Sequence, residues 1–159
     1  MIVIEEIPRS RASEFWPLHW EYLNRDIFGE GFPEEDRAYF QSEDYRGVLE
    51  RFMDRVPDRH HMIYFVRDGI RIGCAQYIIY KSEDGKCVIL DYWVFPEYRG
   101  NGTGHACFEA LARCAEADGA AWYQINCDRE NAHRFWVSLG FADDGIDEYG
   151  DPLMKKVPS

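Results

Sequence analysis

The residues best suited to chemistry lie in one short stretch, Val94-Phe95-Pro96-Glu97-Tyr98-Arg99-Gly100-Asn101-Gly102-Thr103-Gly104-His105. An apolar run gives way to glycines alternating with small polar residues, and a helical pattern follows. Glycines let successive backbone N–H groups turn inward and let a ligand approach closely. A helix starting here adds the positive end of its dipole. Arg99 supplies a charge-assisted bond to the same group. Arg99, Gly100, Asn101, Gly102, Thr103 and Gly104 therefore describe an anion site suited to a phosphate or pyrophosphate.

Two familiar phosphate fingerprints fail. A Walker A loop needs Gly-Lys-Ser/Thr, which the chain lacks. The dinucleotide pattern G-x-G-x-x-G meets His105 at its sixth position when counted from Gly100, and Cys107 when counted from Gly102. What remains is R-x-x-G-x-G, and a nucleotide binder becomes the weaker reading. Metal chemistry has no better support. Cys74, Cys87, Cys107, Cys114 and Cys127 form no C-x-x-C pair, and the adjacent His60 and His61 cannot easily serve one ion from a loop. Reduced, mostly buried thiols are expected, with no metal and no disulfide.

The elements that must position this turn can be read from hydrophobic period. Residues 1–7 make a short first strand. Residues 11–26 and 34–56 read as aromatic-rich helices separated by Gly29-Glu30-Gly31, with Pro17 in a first turn or at a kink. His61–Arg67, Ile70–Lys81 and Cys87–Phe95 are β-branched and aromatic runs. Asp68-Gly69 and Ser82-Glu83-Asp84-Gly85 join them as hairpin turns, giving an antiparallel meander. After Pro96, Phe108, Leu111, Ala112 and Ala115 recur at helical spacing, and Asp118-Gly119 ends that helix. A strand follows at 121–127, then a helix at 131–139 with Gly140 as its stop. Strands at 141–144 and 153–157 close the chain. A helical crossover between 87–95 and 121–127 makes those two strands parallel. The expected class is α/β: one domain over residues 1–159, with a twisted mixed sheet and helices on both sides.

The chain's 159 residues are 46% hydrophobic and 30% charged, the profile of a globular domain with a sizeable core. No uncharged stretch exceeds nine residues, and the N-terminus lacks signal-peptide character. A membrane span is thereby excluded and a cytoplasmic location expected. The net charge is −11, carried by both flanks around a balanced centre. Such a surface repels phosphate backbones and argues against nucleic acid. A neutral centre between acidic flanks suits an anionic cofactor and a cationic substrate; equally, the acidic excess can serve solubility alone.

With the turn and its elements placed, the sequence resembles the GCN5-related N-acetyltransferase (GNAT) family. The carriers are the strand Cys87–Phe95 with Pro96-Glu97-Tyr98-Arg99-Gly100-Asn101-Gly102-Thr103-Gly104, and Ala132-His133-Arg134-Phe135-Trp136-Val137-Ser138-Leu139-Gly140-Phe141. They match P-x-Y-R-G-x-G-x-G and A-x-x-[FL]-Y-x-x-x-G-F, and element order agrees along the whole chain.

The resemblance implies an acetyl-CoA cosubstrate, with its pyrophosphate on Arg99 through Gly104 and its pantetheine arm on the main chain of Trp93 and Val94. It implies direct attack of a neutral amine of a small molecule or peptide on the thioester, and it is compatible with a homodimer. A proton must leave the ammonium and one must reach the thiolate. Asp91 interrupts an apolar strand on the face of Trp93 and is the candidate base; the alternative is a surface Asp bonded to a neighbour. Two positions depart from the family. Trp136 stands where many members carry Tyr, and an indole cannot protonate a thiolate. Trp136 is left as a cofactor-packing residue, with water, Tyr123 or Tyr149 as substitute acids. Arg129 replaces a frequent Asn, leaving Asn131 to contact the pantetheine arm or to cap its helix. The missing Tyr also motivates a second hypothesis, a non-catalytic acyl-CoA-binding or sensor domain.

Overall fold

The computed structural model describes residues 1–158. Seven strands form one mixed sheet in the order β1-β2-β3-β4-β5-β7-β6. They are β1 (Ile2–Ile7), β2 (His60–Arg67), β3 (Ile70–Tyr80), β4 (Lys86–Val94), β5 (Trp122–Asn126), β6 (Ala142–Ile146) and β7 (Pro152–Lys156). Among the described residues only β4 and β5 run parallel, joined across the long helix α4 (Thr103–Ala117). The expected meander and crossover are both present, with each strand boundary within two residues of the sequence reading.

The N-terminal helices differ from expectation. The segment expected as one helix over 11–26 is three pieces: a 3-10 stretch at Arg9–Glu14, α1 (Phe15–Tyr22) and a π turn at Leu23–Ile27. Pro17 sits in the first turn of α1, where its missing N–H costs nothing. The expected helix over 34–56 is broken into α2 (Glu34–Gln41) and α3 (Glu43–Phe52). Ser42 makes the break: its backbone is extended and its hydroxyl accepts from the Tyr45 N–H, the N-cap arrangement.

Two apolar clusters sandwich the sheet. On one face α4 and α5 (Glu130–Ser138) bury Cys107, Phe108, Leu111 and Trp136 against Ile63, Phe65, Ala75 and Tyr123. On the other, α1 and α3 bury Phe15, Trp16, Tyr22 and Leu49 against Met62, Tyr64, Cys74 and Trp93. Cys74, Cys87 and Cys107 are buried, Cys127 is half-buried and Cys114 is exposed. No helix is long and apolar enough to cross a membrane among the described residues.

A bulge in β4 decides what faces each layer. Ile89 pairs with Tyr77 and Asp91 with Gln76, so Leu90 is the extra residue. Upstream, odd-numbered Cys87 and Ile89 pack toward α4; downstream, even-numbered Val94 joins that cluster and Tyr92 packs against it. The bulge thus reverses parity and turns Asp91 and Trp93 toward α1.

Candidate functional site

The glycine turn takes an unusual backbone path. Gly100, Asn101 and Gly102 all have positive φ, at 100°, 55° and 75°. Three successive left-handed residues would be costly without the flanking glycines. The turn is closed by the Thr103 amide and hydroxyl, both donating to the Gly100 carbonyl, at 3.1 and 2.7 Å. The Ala106 amide donates to the Gly102 carbonyl. No i−4 helical carbonyl serves the amides of Gly104 and His105, which stand in the first turn of α4. Nothing lies within 4 Å of where a Cβ would stand on Gly100 or Gly102, so the concavity is open on that side. This is an anion-binding geometry.

Beside it the sheet opens. The parallel ladder between β4 and β5 runs only from Lys86↔Trp122 to Val88↔Gln124. It stops two residues short of the Leu90 bulge, whose added twist carries β4 away. On the β3 side, the Phe95 amide donates to the Ile72 carbonyl. Antiparallel alternation then aims the main chains of Trp93 and Asp91 at β3, and those of Tyr92 and Val94 into the gap. This corrects one expectation: Val94 offers its amide N–H to the gap, its carbonyl being taken by Arg99, whereas the main chain of Trp93 is spent within the sheet.

The other expected residues are distributed as follows. Arg99 does not reach into the turn; its Nε donates to the Val94 carbonyl at 2.8 Å and its Nη2 meets Asp26 Oδ2 at 2.8 Å. Arg129 donates to the Asp26 carbonyl, so the π turn spans the ends of β4 and β5. Gly104 faces protein rather than open space, with Phe135 Cε1 2.7 Å from its would-be Cβ. Asn131 is not the N-cap of α5, which is Arg129; Asn131 accepts from Arg134 and is exposed. Trp136 is enclosed by Tyr92, Phe135 and Phe141, each ring centroid 5.1 Å away. Of the two substitute acids, Tyr123 donates to Glu116 at 2.7 Å, and burial raises its pKa far above the ordinary tyrosine value. Tyr149 is exposed in the β6–β7 turn.

Asp91 is not a surface residue: its side chain is 11% exposed. It accepts from Gln76, whose Oε1 meets His60 Nε2 at 2.9 Å, and His19 Nε2 lies 3.3 Å from its Oδ2. A polar row thus crosses β2, β3 and β4 beneath α1. Sequence reasoning missed Gln76 and His19. The available signal was two polar residues, Gln76 and Asp91, each isolated in an apolar strand, but pairing them needed the bulge.

Along the same face of β4, a cleft of about 280 Å³ is walled by Leu18, Trp93, Phe95 and Pro96, with Glu21, Glu97 and Arg25 also lining it. The indole N–H of Trp93 is buried without a partner among the described residues. A more open groove of about 430 Å³ along α4 carries mixed charge from Glu109, Arg113, Glu116 and Lys156. Among the described residues, no three His, Cys, Asp or Glu side chains gather as a metal-ligand set.

Solved structures share this architecture. The N-acetyltransferase PaiA from Thermoplasma acidophilum, solved with coenzyme A, aligns over 99% of both chains at 18% identity and a TM-score of 0.69. An acetyltransferase from Streptococcus agalactiae aligns over 99% of this chain and 98% of its own, at 14% identity and a TM-score of 0.68. The aminoglycoside acetyltransferase AAC(6')-Ib, solved with coenzyme A and kanamycin, aligns over 99% of this chain and 95% of its own, at 18% identity and a TM-score of 0.66. These likenesses concern the fold. No curated protein sequence matches. The model of the acetyltransferase (GNAT) family matches residues 14–141, spanning the π turn, the strand gap and the glycine turn, and the chain belongs to that family.

Proposed function

We propose that the protein transfers the acetyl group of acetyl-CoA directly to a primary amine of a small molecule or peptide. The observation that carries this reading is the adjacency of two features. An open left-handed turn with free amides suits a pyrophosphate. A strand gap lined by the main chains of Tyr92 and Val94 suits a long arm bearing amides. Asn101, Gly102 and Thr103 cradle the anion, and Arg99 can join them by exchanging Asp26 for phosphate. Asp91, on the strand that borders the gap, accepts the amine proton. Glu21 and Glu97 beside Trp93 and Phe95 favour a cationic acceptor, through charge and through ring faces. Kanamycin, bound by one structural neighbour, is such a polyamine and belongs in the first acceptor panel.

A second reading, an acyl-CoA-binding domain without turnover, is favoured by one observation. The position where relatives carry tyrosine is Trp136, enclosed by aromatic rings.

Thermal unfolding with acetyl-CoA, CoA, NAD and ATP tests the shared part. Ligand at a hundred times its Kd stabilises by about 2.7 kcal/mol, a shift of several degrees at this size. A shift with acetyl-CoA and CoA but not NAD supports both readings, and no shift with acetyl-CoA overturns both. Acetyl transfer to kanamycin, a polyamine or a short peptide then separates the enzyme from the binding domain.

A further inference from the structure

Asp91 stands in a shell of neutral groups. Tyr22 comes from α1, Tyr45 from α3, Cys74 and Gln76 from β3, and His60 from β2. Burial pushes the hydroxyls of Tyr22 and Tyr45 and the thiol of Cys74 well above their ordinary values, and pushes His60 down to about 4. None of them carries charge at neutral pH, and among the described residues no Lys or Arg is paired with Asp91. The basic side chain that faces this carboxylate directly is His19.

His19 is itself 1% exposed, and its Nε2 stands 3.3 Å from Asp91 Oδ2. Its Nε2 faces the carboxylate without an aligned hydrogen bond, and its Nδ1 has no partner among the described residues. A buried imidazole with no aligned hydrogen bond is costly and calls for an explanation. Its ring stacks on Tyr45, at 5.7 Å between centroids and 23° between planes, which fixes the plane of the imidazole. The same oxygen, Asp91 Oδ2, also accepts from Gln76, which His60 holds in turn, so the carboxylate is fixed with Oδ2 against His19.

We propose that His19 is a positioning residue that acts through Asp91, storing the proton the carboxylate takes from the acceptor ammonium. The proposal rests on the acetyl-transfer reading above. The steps balance. The ammonium gives one proton to Asp91, which passes it to His19 Nε2. The freed nitrogen lone pair forms the C–N bond with the thioester carbon, and the C–S bond breaks. The second nitrogen proton goes to the thiolate, giving amide and free CoA. His19 returns its proton through Asp91 to solvent, so the turnover releases one proton.

The test uses two amines of nearly equal size and opposite need. Ethylamine is an ammonium ion at neutral pH and must be deprotonated; methoxyamine is already the free base. Acetyl-CoA consumption is followed at pH 7 for the wild type, His19→Gln and His19→Asn, with thermal unfolding confirming the fold and calorimetry confirming acetyl-CoA binding. Loss of a proton-transfer partner is expected to cut ethylamine transfer by about 100-fold. Methoxyamine transfer should fall at least ten times less, and asparagine should not restore selectivity. Equal losses for both amines in whichever variants fold would make His19 a packing residue and overturn the proposal alone. No transfer by the wild type to these two amines or to kanamycin, a polyamine or a short peptide would overturn the acetyl-transfer reading and the proposal together.

Discussion

Asp26 and Arg99, 73 residues apart in sequence, meet at 2.8 Å across the mouth of the gap between β4 and β5. The same Asp26 takes Arg129 on its carbonyl, so a π turn from the first third of the chain clasps the ends of both strands. π turns often mark functional positions, and this one brings acidic charge to the arginine nearest the anion turn.

The pair is half-exposed, so its removal costs stability at most about 1 kcal/mol. Its effect on binding should be larger. Arg99→Ala is expected to weaken acetyl-CoA about tenfold, the loss of one charge-assisted hydrogen bond. Asp26→Asn should strengthen binding, because it removes the carboxylate that competes with phosphate. Calorimetric titration of both variants checks the two directions.

Gly102 and Gly104, two residues apart, are glycines for different reasons. At Gly102 φ is +75° and the space beyond is open, so a side chain meets strain and the ligand site. Gly102→Glu should abolish acetyl-CoA binding by setting a carboxylate against the pyrophosphate, while the protein still folds. At Gly104 a Cβ would meet Phe135 at 2.7 Å. Gly104→Ala should cost about 1–3 kcal/mol by overpacking, and Phe135→Leu in the same chain should recover part of it. Urea unfolding and acetyl-CoA titration of each variant distinguish the two roles.

His60 makes stability depend on pH. Burial depresses its folded-state pKa to about 4, below the ordinary histidine value. The unfolded chain therefore binds a proton between those values that the folded chain refuses, and stability falls as pH drops through that window. Between pH 7 and 4.5 the contribution is about 2–3 kcal/mol. His60→Gln should flatten this part of the profile, as measured by unfolding at both pH values. An identical slope in wild type and variant would show that His60 does not set it.

Trp136→Ala should destabilise by about 3–5 kcal/mol, since three aromatic rings close around the indole. Chemical denaturation reads this directly. A cost below 1 kcal/mol would mean that the ring does not anchor α5 to the sheet.

The strands were legible in the sequence because their signals are local. Alternating apolar residues and the turns Asp68-Gly69 and Asp84-Gly85 define β2, β3 and β4 without reference to anything distant. The anion turn was legible for the same reason, since Gly100 and Gly102 announce their own backbone. The N-terminal helices were harder. Aromatic residues from Phe15 to Phe52 mask the helical period, and the break at Ser42 is visible only to a reading that weighs Ser followed by Glu43 and Asp44 as a fresh start. The row His60–Gln76–Asp91 was out of reach for a different reason. It depends on register across three strands, and one extra residue at Leu90 sets that register. The same limit applies to Trp93: that it shares a face with Asp91 follows from strand alternation, but its main chain cannot be oriented without the ladder.

The three-rung parallel ladder divides the sheet into two rafts, β1–β4 and β5–β7–β6, stitched by little more than the residues from Lys86 to Val88 and by α4. Such a seam is where cooperative units of a domain come apart first. Amide exchange should therefore show the second raft opening at lower free energy than the first. A molecule lying along the seam, bonded to Val94 on one bank and to the segment after β5 on the other, would act as the missing rungs. Catalysis and cohesion would then draw on the same hydrogen bonds: the fold is left unfinished along one line, which the proposed cosubstrate would complete.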